Sequence, residues 1–292
     1  MSTTLPRRRP QTIPTLHPLP EYLVTGERKR RYEEMKSVLQ TPWMGVITMA
    51  YAHYETFYGV LWEGVKDLCA SRAFVAACAD LRAFTQAQAA ALSPPPLAAR
   101  LAALGYAPRE IEDIRAIVEV FAHGNFPYLL LATLTRRLLE DGEFGVDGTV
   151  EPFVGRHAPD VRPPFVLMEA HHADAELRAL YEDVKATLNL PFVNTDYRAF
   201  ARWPSYFRLA WGDLRSVAGT PAHEAVAQAI HARASLLVDG LPNPGGLTSA
   251  ALRAAAERDA PLDEIENMAR LFQWLLPGLV ANVAFFQLQL AP

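Results

Sequence analysis

Two polar side chains of this sequence, those of Asp196 and Asn125, stand in largely apolar stretches and could do chemistry there. Asp196 lies in NTDYRAF, and Asn125 lies in AHGNFPYLLL. A carboxylate is costly to bury unless it is paired or used, and an amide can both donate and accept hydrogen bonds. Both groups are therefore candidates for a functional site, provided that the fold buries them.

An internal repeat indicates which elements position these groups. The segment YEEMKSVLQTPW, residues 32–43, returns 149 positions later as YEDVKATLNLPF, residues 181–192, with five identities in twelve positions. The offset holds to Trp62 and Trp211, and a later segment beginning APREIEDI resembles one beginning APLDEIENM. Such a long period predicts a duplicated domain packed as an intramolecular pseudo-dimer, with the active site in the cleft between the copies.

Alignment of the two copies shows where a position is polar in one copy and apolar in the other. Asp196 aligns with Ile47, and Asn125 aligns with Leu279 in the last helix. An aliphatic residue in one copy predicts an interior position in both. Two simpler structural interpretations remain open. Asp196 at a helix start can complement exposed N–H groups and the helix dipole, and Asn125 after a glycine can end a helix.

Composition and the placement of Gly and Pro predict an all-α protein. Half of the 292 residues are hydrophobic, alanine-rich runs favour helix, and no segment shows sustained strand alternation. The predicted organisation is an N-terminal extension at 1–26, a helical repeat at 27–140, a linker at 141–173 and a second helical repeat at 174–292. Within the repeats, Gly124-Asn125 separates two predicted helices, 108–123 and 128–139, and Trp203-Pro204 ends another.

The net charge of −4 gives no reason to expect a polyanionic partner. The motifs PRRRP and ERKRR could form a nucleic-acid or membrane patch, but a disordered tail and a solvated helix start are the favoured interpretation. Residues 271–290 lack a charge and could span a bilayer, yet the equivalent helix carries Glu119 and His123, which favours a core helix. Without an apolar stretch after the first arginines, and with cysteines typical of a reducing compartment, we expect a cytoplasmic protein.

Other polar residues are weaker candidates. His123 could act as a base, although a histidine near a helix end is more often structural. The adjacent His171 and His172 diverge by about 100° on a helix and have no Glu-x-x-His or Cys set beside them, so no metal site is expected. Glu63 and Asp67 are secondary acidic candidates that are more typical of surface charges. No phosphate-binding glycine loop, nucleophile elbow or Cys-x-x-Cys motif occurs, so no bound cofactor is indicated.

The motifs YEEMKSVLQTPW, GYAPREIEDIRAIVEVFAHGNFPYLLL, NTDYRAFARWP and LFQW together resemble the group I D,L-2-haloacid dehalogenases, helical enzymes built from two tandem repeats. The similarity covers most of the chain, from about residue 32 to residue 281. It implies that Asp196 is the catalytic aspartate and that Asn125 helps to hold the attacking water. It also implies a substrate pocket, whose members are Trp43, Val46, Thr195, Trp274, Pro277 and Ala281.

The resemblance implies hydrolytic dehalogenation of 2-haloalkanoic acids of both D and L configuration. Water, activated by Asp196 as general base, would attack the α carbon directly and give an inverted 2-hydroxy acid, with no covalent ester and no cofactor. The expected partners are a small 2-haloacid, water and, in a homodimer, a second copy of the chain. No nucleic-acid or membrane partner is expected.

Two pocket positions depart from the family pattern, because Trp274 replaces a tyrosine and Val46 replaces a phenylalanine. The size of the accepted acid therefore stays open. No arginine is obviously placed to bind the substrate carboxylate, so backbone N–H groups near Asn194 and Thr195 are the candidates. Two other functions remain: an enzyme of the same fold that acts on a different small carboxylic acid, and a non-catalytic binding protein.

Overall fold

The computed structural model describes residues 5–145 and 148–291, and every regular element within these ranges is helical, which confirms the all-α prediction. The helices of the described residues are α1 (Gly26–Leu39), α2 (Val46–Tyr51), α3 (Glu55–Cys69), α4 (Arg72–Ala90), α5 (Ala98–Ala103), α6 (Pro108–Arg136), α7 (Ala175–Leu188), α8 (Thr195–Phe200), α9 (Pro204–Arg215), α10 (Pro221–Gly240), α11 (Ser249–Glu257) and α12 (Leu262–Gln289). A π-helical turn, Arg137–Asp141, directly follows α6.

The first six helices and the last six helices follow one another at nearly the same spacing. Helices α1 and α7 each have 14 residues, and α2 and α8 each have six. The starts of α1 and α7, at residues 26 and 175, are 149 positions apart, as are the starts of α2 and α8 at residues 46 and 195. Both α1 and α7 end before a residue in the left-handed region, with φ 51° at Gln40 and φ 54° at Asn189. This regularity supports a duplicated architecture.

Side-chain contacts recur at the same spacing. Trp62 Nε1 donates a hydrogen bond to the Glu34 carboxylate at 2.7 Å, and Trp211 Nε1 donates to the Asp183 carboxylate at 2.8 Å. Both indoles are fully buried, so each needs a partner for its N–H group. In both copies a carboxylate accepts the indole N–H, which explains why the aligned residues Glu34 and Asp183 are both acidic.

The chain folds into two compact units. The first comprises the described residues of 1–81, 124–158 and 231–277, and the second comprises those of 82–123, 159–230 and 278–292. Each unit draws on both halves of the sequence. The predicted domain boundaries, which follow the sequence repeat, stay a prediction.

Aromatic side chains form much of the core of the first unit. Tyr51 of α2 contacts Phe57 of α3 and Phe272 of α12 edge-on, with ring centroids 5.3 and 6.5 Å apart. Edge-to-face packing of buried rings contributes about 0.5–1.5 kcal/mol per pair beyond area burial. These contacts fix α2 against α3 and the first half of α12.

The second unit has a similar aromatic core around α8. Tyr197 lies 6.0 Å from Phe207 and 6.4 Å from Trp211, measured between ring centroids, and Phe200 lies 5.7 Å from Phe286. All five rings are almost completely buried. The short helix α8 is therefore held by its own aromatic residues against α9 and α12.

Helix α6 runs without interruption through Gly124, Asn125 and Pro127, which corrects the prediction of two helices at 108–123 and 128–139. A proline inside a helix removes a main-chain hydrogen bond and costs about 3 kcal/mol. Nearly all residues from 118 to 139 are buried, so packing of this apolar run offsets the cost. Asn125 is therefore a mid-helix residue, and its interpretation as a helix stop is wrong.

The N-terminal arginines are not part of a disordered tail as predicted. Leu5 is only 6 % exposed, Pro10 is buried, and the Leu5 carbonyl accepts a hydrogen bond from His231 Nε2 at 2.6 Å. Burial of two apolar residues and a hydrogen bond to a buried ring offset the conformational entropy lost on ordering. The basic character of the motif gave no sign of these contacts.

Pro204 begins a helix and does not end one as predicted. Helix α8 ends at Phe200, Trp203 caps α9, and Pro204 is the first residue of α9. The missing N–H of a proline costs nothing in a first turn, where that group has no partner within the helix. A Trp-Pro pair is compatible with either end of a helix, so the sequence alone did not decide between them.

Two helical stretches of the described residues are long and apolar enough to cross a membrane. They are Pro108–Glu140 and Leu262–Gln289, and their most apolar windows are 89 % and 78 % buried within the protein. Burial of this extent is typical of core helices in soluble proteins. The structure thus agrees with the prediction of a core helix over residues 271–290.

Candidate active site

Asp196 is buried in the first turn of α8, with 2 % of its surface exposed. Its equivalent in the first half of the chain, Ile47, is also 2 % exposed and lies in the first turn of α2. A carboxylate in such a place loses most of its hydration and needs a partner or a function. The predicted burial is confirmed. The helix-start position is confirmed as well. The catalytic role of Asp196 stays a prediction.

The charge of Asp196 acts on the next residue, Tyr197. Burial is the main cause that raises the pKa of the Tyr197 hydroxyl above its usual range, and the Asp196 carboxylate raises it further, while a hydrogen bond from Asn282 opposes the rise. Tyr197 is therefore a neutral phenol at physiological pH. It can serve as a hydrogen-bond donor or acceptor beside Asp196, but not as a base.

Tyr197 belongs to a buried chain of hydrogen bonds in the second unit. Asn282 Nδ2 donates to the Tyr197 hydroxyl at 3.0 Å, and Asn282 Oδ1 accepts from His223 Nε2 at 2.8 Å. Asn282 is 1 % exposed and His223 is 6 % exposed. The amide of Asn282 is thus engaged at both ends, and the chain ties α8 to α10 and α12. Sequence reasoning did not single out Asn282 or His223.

Thr195 and Ala281 are the other predicted pocket residues of the second unit, and both are buried. Thr195 Oγ1 accepts a hydrogen bond from Arg198 Nη2 at 3.2 Å. Arg198 also donates to both carboxylate oxygens of Glu169 at 2.7 Å, so its positive charge is neutralised locally. The Thr195 hydroxyl is therefore oriented by a paired arginine.

Trp43 packs against Gly124 of α6, the residue that precedes Asn125. A Cβ atom added to Gly124 would come within 2.4 Å of Trp43 Cη2, so only glycine lets this ring contact the helix backbone so closely. Tyr128, one turn further along α6, donates its hydroxyl to the Trp43 carbonyl at 2.6 Å. Trp43 and Asn125 are each 4 % exposed. The indole is thus fixed beside the helix turn that carries Asn125.

Trp274 lies half-buried on α12, one turn before the buried Pro277. The guanidinium carbons of Arg7 and Arg9 lie 5.8 and 5.7 Å from the centroid of its indole. Arg7 Nε also donates to the Trp274 carbonyl at 3.0 Å. Val46, the first residue of α2, is half-buried as well. Sequence reasoning missed the two arginines because it assigned their motif to a tail.

The predicted site residues are distributed over both units. The first unit holds Trp43, Val46, Asn125, Trp274 and Pro277, and the second holds Thr195, Asp196 and Ala281. Six of these eight are buried, and only Val46 and Trp274 are half-buried. The joint pocket that the resemblance implies for these residues stays a prediction.

The secondary acidic candidates are surface charges. Glu63 and Asp67 are both exposed. A hydrogen bond from Lys66 is the main cause that lowers the pKa of the Glu63 carboxyl. An exposed, already paired carboxylate is a weak base and binds no enclosed substrate, so neither residue competes with Asp196.

The histidine candidates do not form a metal site among the described residues, where no group of three His, Cys, Asp or Glu side chains is close enough to hold an ion. His171 and His172 are exposed, and the centroids of their rings lie 4.0 Å apart. His123 Nδ1 accepts a hydrogen bond from Arg82 at 3.1 Å, which fits the structural interpretation of this residue.

A cavity of about 510 Å³ opens in the second unit, and none of the predicted site residues lines it. Its polar lining includes Gln86, Arg115, Glu119, Arg162 and Gln287. Gln86 donates to Gln287 at 2.7 Å, and Gln287 donates to Glu119, so these side chains satisfy one another. The cavity is a feature apart from the predicted substrate pocket.

Known proteins resemble this chain over most of its length. A family model described as halocarboxylic acid dehydrogenase DehI matches residues 191–283, which include Thr195, Asp196 and Trp274. An (R)-2-haloacid dehalogenase of Rhizobium sp. (strain NHG3) is 48 % identical over 83 % of this chain and 95 % of that protein. A configuration-inverting 2-haloacid dehalogenase of Alcaligenes xylosoxydans xylosoxydans is 27 % identical over 77 % of each.

A solved structure shares the fold. It is described as the complex structure of a D-2-haloacid dehalogenase mutant with D-2-CPA, is 34 % identical, and superposes with a TM-score of 0.88 over 99 % of both chains. Identity of 48 % across almost the whole of a relative exceeds what a shared fold alone would produce. The chain therefore belongs to the helical 2-haloacid dehalogenase family, whose members are hydrolases that act on carbon–halide bonds.

Proposed function

We propose that this protein hydrolyses 2-haloalkanoic acids to 2-hydroxy acids, with Asp196 as the general base. The observation that carries the proposal is the burial of the Asp196 carboxylate at a position where its equivalent, Ile47, is hydrocarbon. A buried carboxylate that replaces an aliphatic side chain is costly, and catalysis is a reason to keep it. The family to which the chain belongs supplies the matching reaction.

The proposed step is a direct displacement by water. As the water oxygen bonds to the α carbon, the carbon–halogen bond breaks, the halide leaves with the bonding pair, and Asp196 accepts the proton of the water. Attack opposite the leaving halide inverts the configuration of the α carbon. A side chain held in a water-poor interior makes one retained water more effective, because its alignment is fixed before the reaction. No covalent ester and no cofactor take part.

Asn125 is proposed to hold the attacking water. Its amide can donate to the water oxygen or accept from the water hydrogen, whereas Leu279 at the equivalent position can do neither. The ring of Trp43, fixed against Gly124, forms an apolar wall beside this helix turn. Val46, Trp274, Pro277, Ala281 and Thr195 complete the proposed pocket.

We also propose that the chain is a tandem repeat that forms an intramolecular pseudo-dimer. Equal spacing of the helix starts and the matched indole contacts of Trp62 and Trp211 support this proposal. If the repeat arose by duplication, the two copies began with identical residues at equivalent positions. The pairs Ile47 and Asp196, and Leu279 and Asn125, then mark the places where the two copies came to differ in polarity.

The stereochemical range has two candidate answers. Attack by water, without a covalent bond to the enzyme, is compatible with both D and L acids, which is the range that we propose. The names of the Rhizobium relative and of the solved structure favour a narrower range, hydrolysis of D acids alone. Halide release from D- and L-2-chloropropionate, measured separately, decides between the two. Turnover of the D acid alone would contradict the proposal that both D and L acids are hydrolysed.

A single-turnover experiment in ¹⁸O-labelled water tests the chemistry. Enzyme in excess over 2-chloropropionate should place the label directly in lactate, and mass spectrometry of the peptide that contains Asp196 should find none. An ester mechanism would give unlabelled lactate first and leave the label in the Asp196 carboxylate. That result would overturn direct attack by water.

A further inference from the structure

The segment from Leu5 to Pro10, which we call the N-terminal strap, is anchored on buried polar groups of the first unit. His231 Nε2 donates to the Leu5 carbonyl at 2.6 Å, and Arg136 Nη1 donates to the Pro6 carbonyl at 3.0 Å. His231 and Arg136 are only 1 % and 4 % exposed. Two buried donors therefore hold successive main-chain carbonyls of the strap.

The strap is also joined to α12 next to Trp274. Arg136 Nη1 donates to Gln273 Oε1 at 2.5 Å, and Arg7 Nε donates to the Trp274 carbonyl at 3.0 Å. Arg7 contacts α12 directly, and Arg136 of α6 bridges Pro6 of the strap to Gln273 of α12, so the position of the strap along this helix is fixed. The side chains of Arg7 and Arg9 therefore lie at a defined place on the Trp274 indole.

Only alternate residues of the strap reach Trp274. The guanidinium carbons of Arg7 and Arg9 lie 5.8 and 5.7 Å from the indole centroid, within the range of a cation–π contact. Arg8 and Arg9 are both exposed to solvent, but of these two only Arg9 has its guanidinium over the indole. Successive side chains of an extended segment lie on opposite sides, which accounts for this pattern.

We propose that Arg7 and Arg9 are positioning residues for the carboxylate of the 2-haloacid, a role that rests on the proposed function. The chain carries a net charge of −4, which repels an anionic substrate. Two guanidinium groups held on the half-buried Trp274 place positive charge at the predicted pocket and attract the acid locally. They also hold the indole, which forms a wall of that pocket.

The test compares Arg7→Gln, Arg9→Gln and Arg8→Gln, which remove the same charge from neighbouring positions. Steady-state halide release from 2-chloropropionate is measured at low and at high salt, with thermal unfolding as a check on folding. Arg7→Gln and Arg9→Gln should raise KM about threefold to tenfold at low salt, with kcat within about twofold of wild type. The KM increase should shrink at high salt, and Arg8→Gln should leave KM within about 1.5-fold. Arg9→Lys, which keeps the charge, should restore most of the loss.

Each outcome decides the matter. Equal KM values for the three glutamine variants overturn the inference, because contact of an arginine with Trp274 would then have no effect on substrate binding. A loss of kcat at unchanged KM overturns it too, since it indicates a structural role only. If Arg7→Gln does not fold, Arg9→Gln decides, because Arg9 makes no main-chain anchor to α12 comparable with that of Arg7. No halide release by wild-type protein rejects the proposed function together with this inference, whereas normal wild-type turnover with equal variants rejects the inference alone.

Discussion

Ile47 and Asp196 occupy the same position in two six-residue helices, and each is 2 % exposed. The fold thus provides two equivalent interior places and fills one with hydrocarbon and the other with a carboxylate. Burial of an uncompensated charge costs several kcal/mol, which is a large fraction of the free energy of unfolding of a typical protein. This asymmetry therefore requires a cause. Catalysis by Asp196 is the cause that we propose.

Asp196→Asn should lower kcat by about 10²–10⁴-fold, because an amide cannot accept a proton from water at neutral pH. The variant should remain folded, since the side chain keeps its size and loses only a buried charge. Halide release and urea unfolding measure the two effects. Glu63→Gln and Asp67→Asn are the matched controls and should retain wild-type turnover. Substantial turnover in Asp196→Asn would mean that another base operates.

Asn125→Leu should lower kcat by about 10²-fold or more, because the leucine that its equivalent position carries cannot orient water. Asn125→Asp tests whether hydrogen-bonding capacity alone is sufficient, and it should be more active than the leucine variant. KM should change less than kcat in both, since the proposed role concerns water and not the acid. Equal kcat for Asn125→Leu and wild type would remove Asn125 from the mechanism.

Gly124→Ala should destabilise the protein by about 1–3 kcal/mol, because its Cβ would come within 2.4 Å of Trp43 Cη2 and 3.2 Å of Thr41 Cγ2. The displaced indole should also raise KM. Gly212→Ala in α9 is the control, as nothing lies within 4 Å of its added Cβ. That change should stabilise by about 0.5–1 kcal/mol through helix propensity. Urea unfolding of both variants checks the prediction, which fails if the two respond alike.

The contribution of His231, which anchors the N-terminal strap, to the stability of the protein should decrease in acid. Burial is the main cause that lowers the pKa of His231 from 6.5, and the charges of Arg136 and Arg7 lower it further, while the hydrogen bond to Leu5 opposes this. Because the folded-state pKa lies below the unfolded-state value, protonation favours the unfolded chain. The His231 contribution is thus intact above about pH 6.5 and is lost as the pH falls through the lower folded-state value.

Urea unfolding at pH 7.5 and pH 5.5 measures this effect. The stability difference between wild type and His231→Gln should be smaller at about pH 5.5 than at about pH 7.5. His53→Gln, at an exposed position, controls for the replacement of a histidine by glutamine as such. A difference for His231→Gln that is the same at both pH values would show that this ring does not titrate with unfolding.

The sequence by itself determined the helical class, the order and approximate ends of most helices, and the two positions where the copies differ in polarity. These follow from local information: periodic apolar residues, turn residues and an alignment of the chain with itself. The burial of Asp196 and Asn125 could be predicted because each has an aliphatic equivalent. Nothing beyond residue types was needed for that step.

Only the tertiary structure decided the path of α6 and the position of the N-terminal strap. Gly124, Asn125 and Pro127 locally favour a helix end, but burial of the apolar run on both sides outweighs a missing hydrogen bond. The arginines of the strap reach Trp274 through anchors on His231 and Arg136, more than 120 residues away along the chain. Such contacts leave no local pattern in sequence, because their energy arises when distant segments pack together.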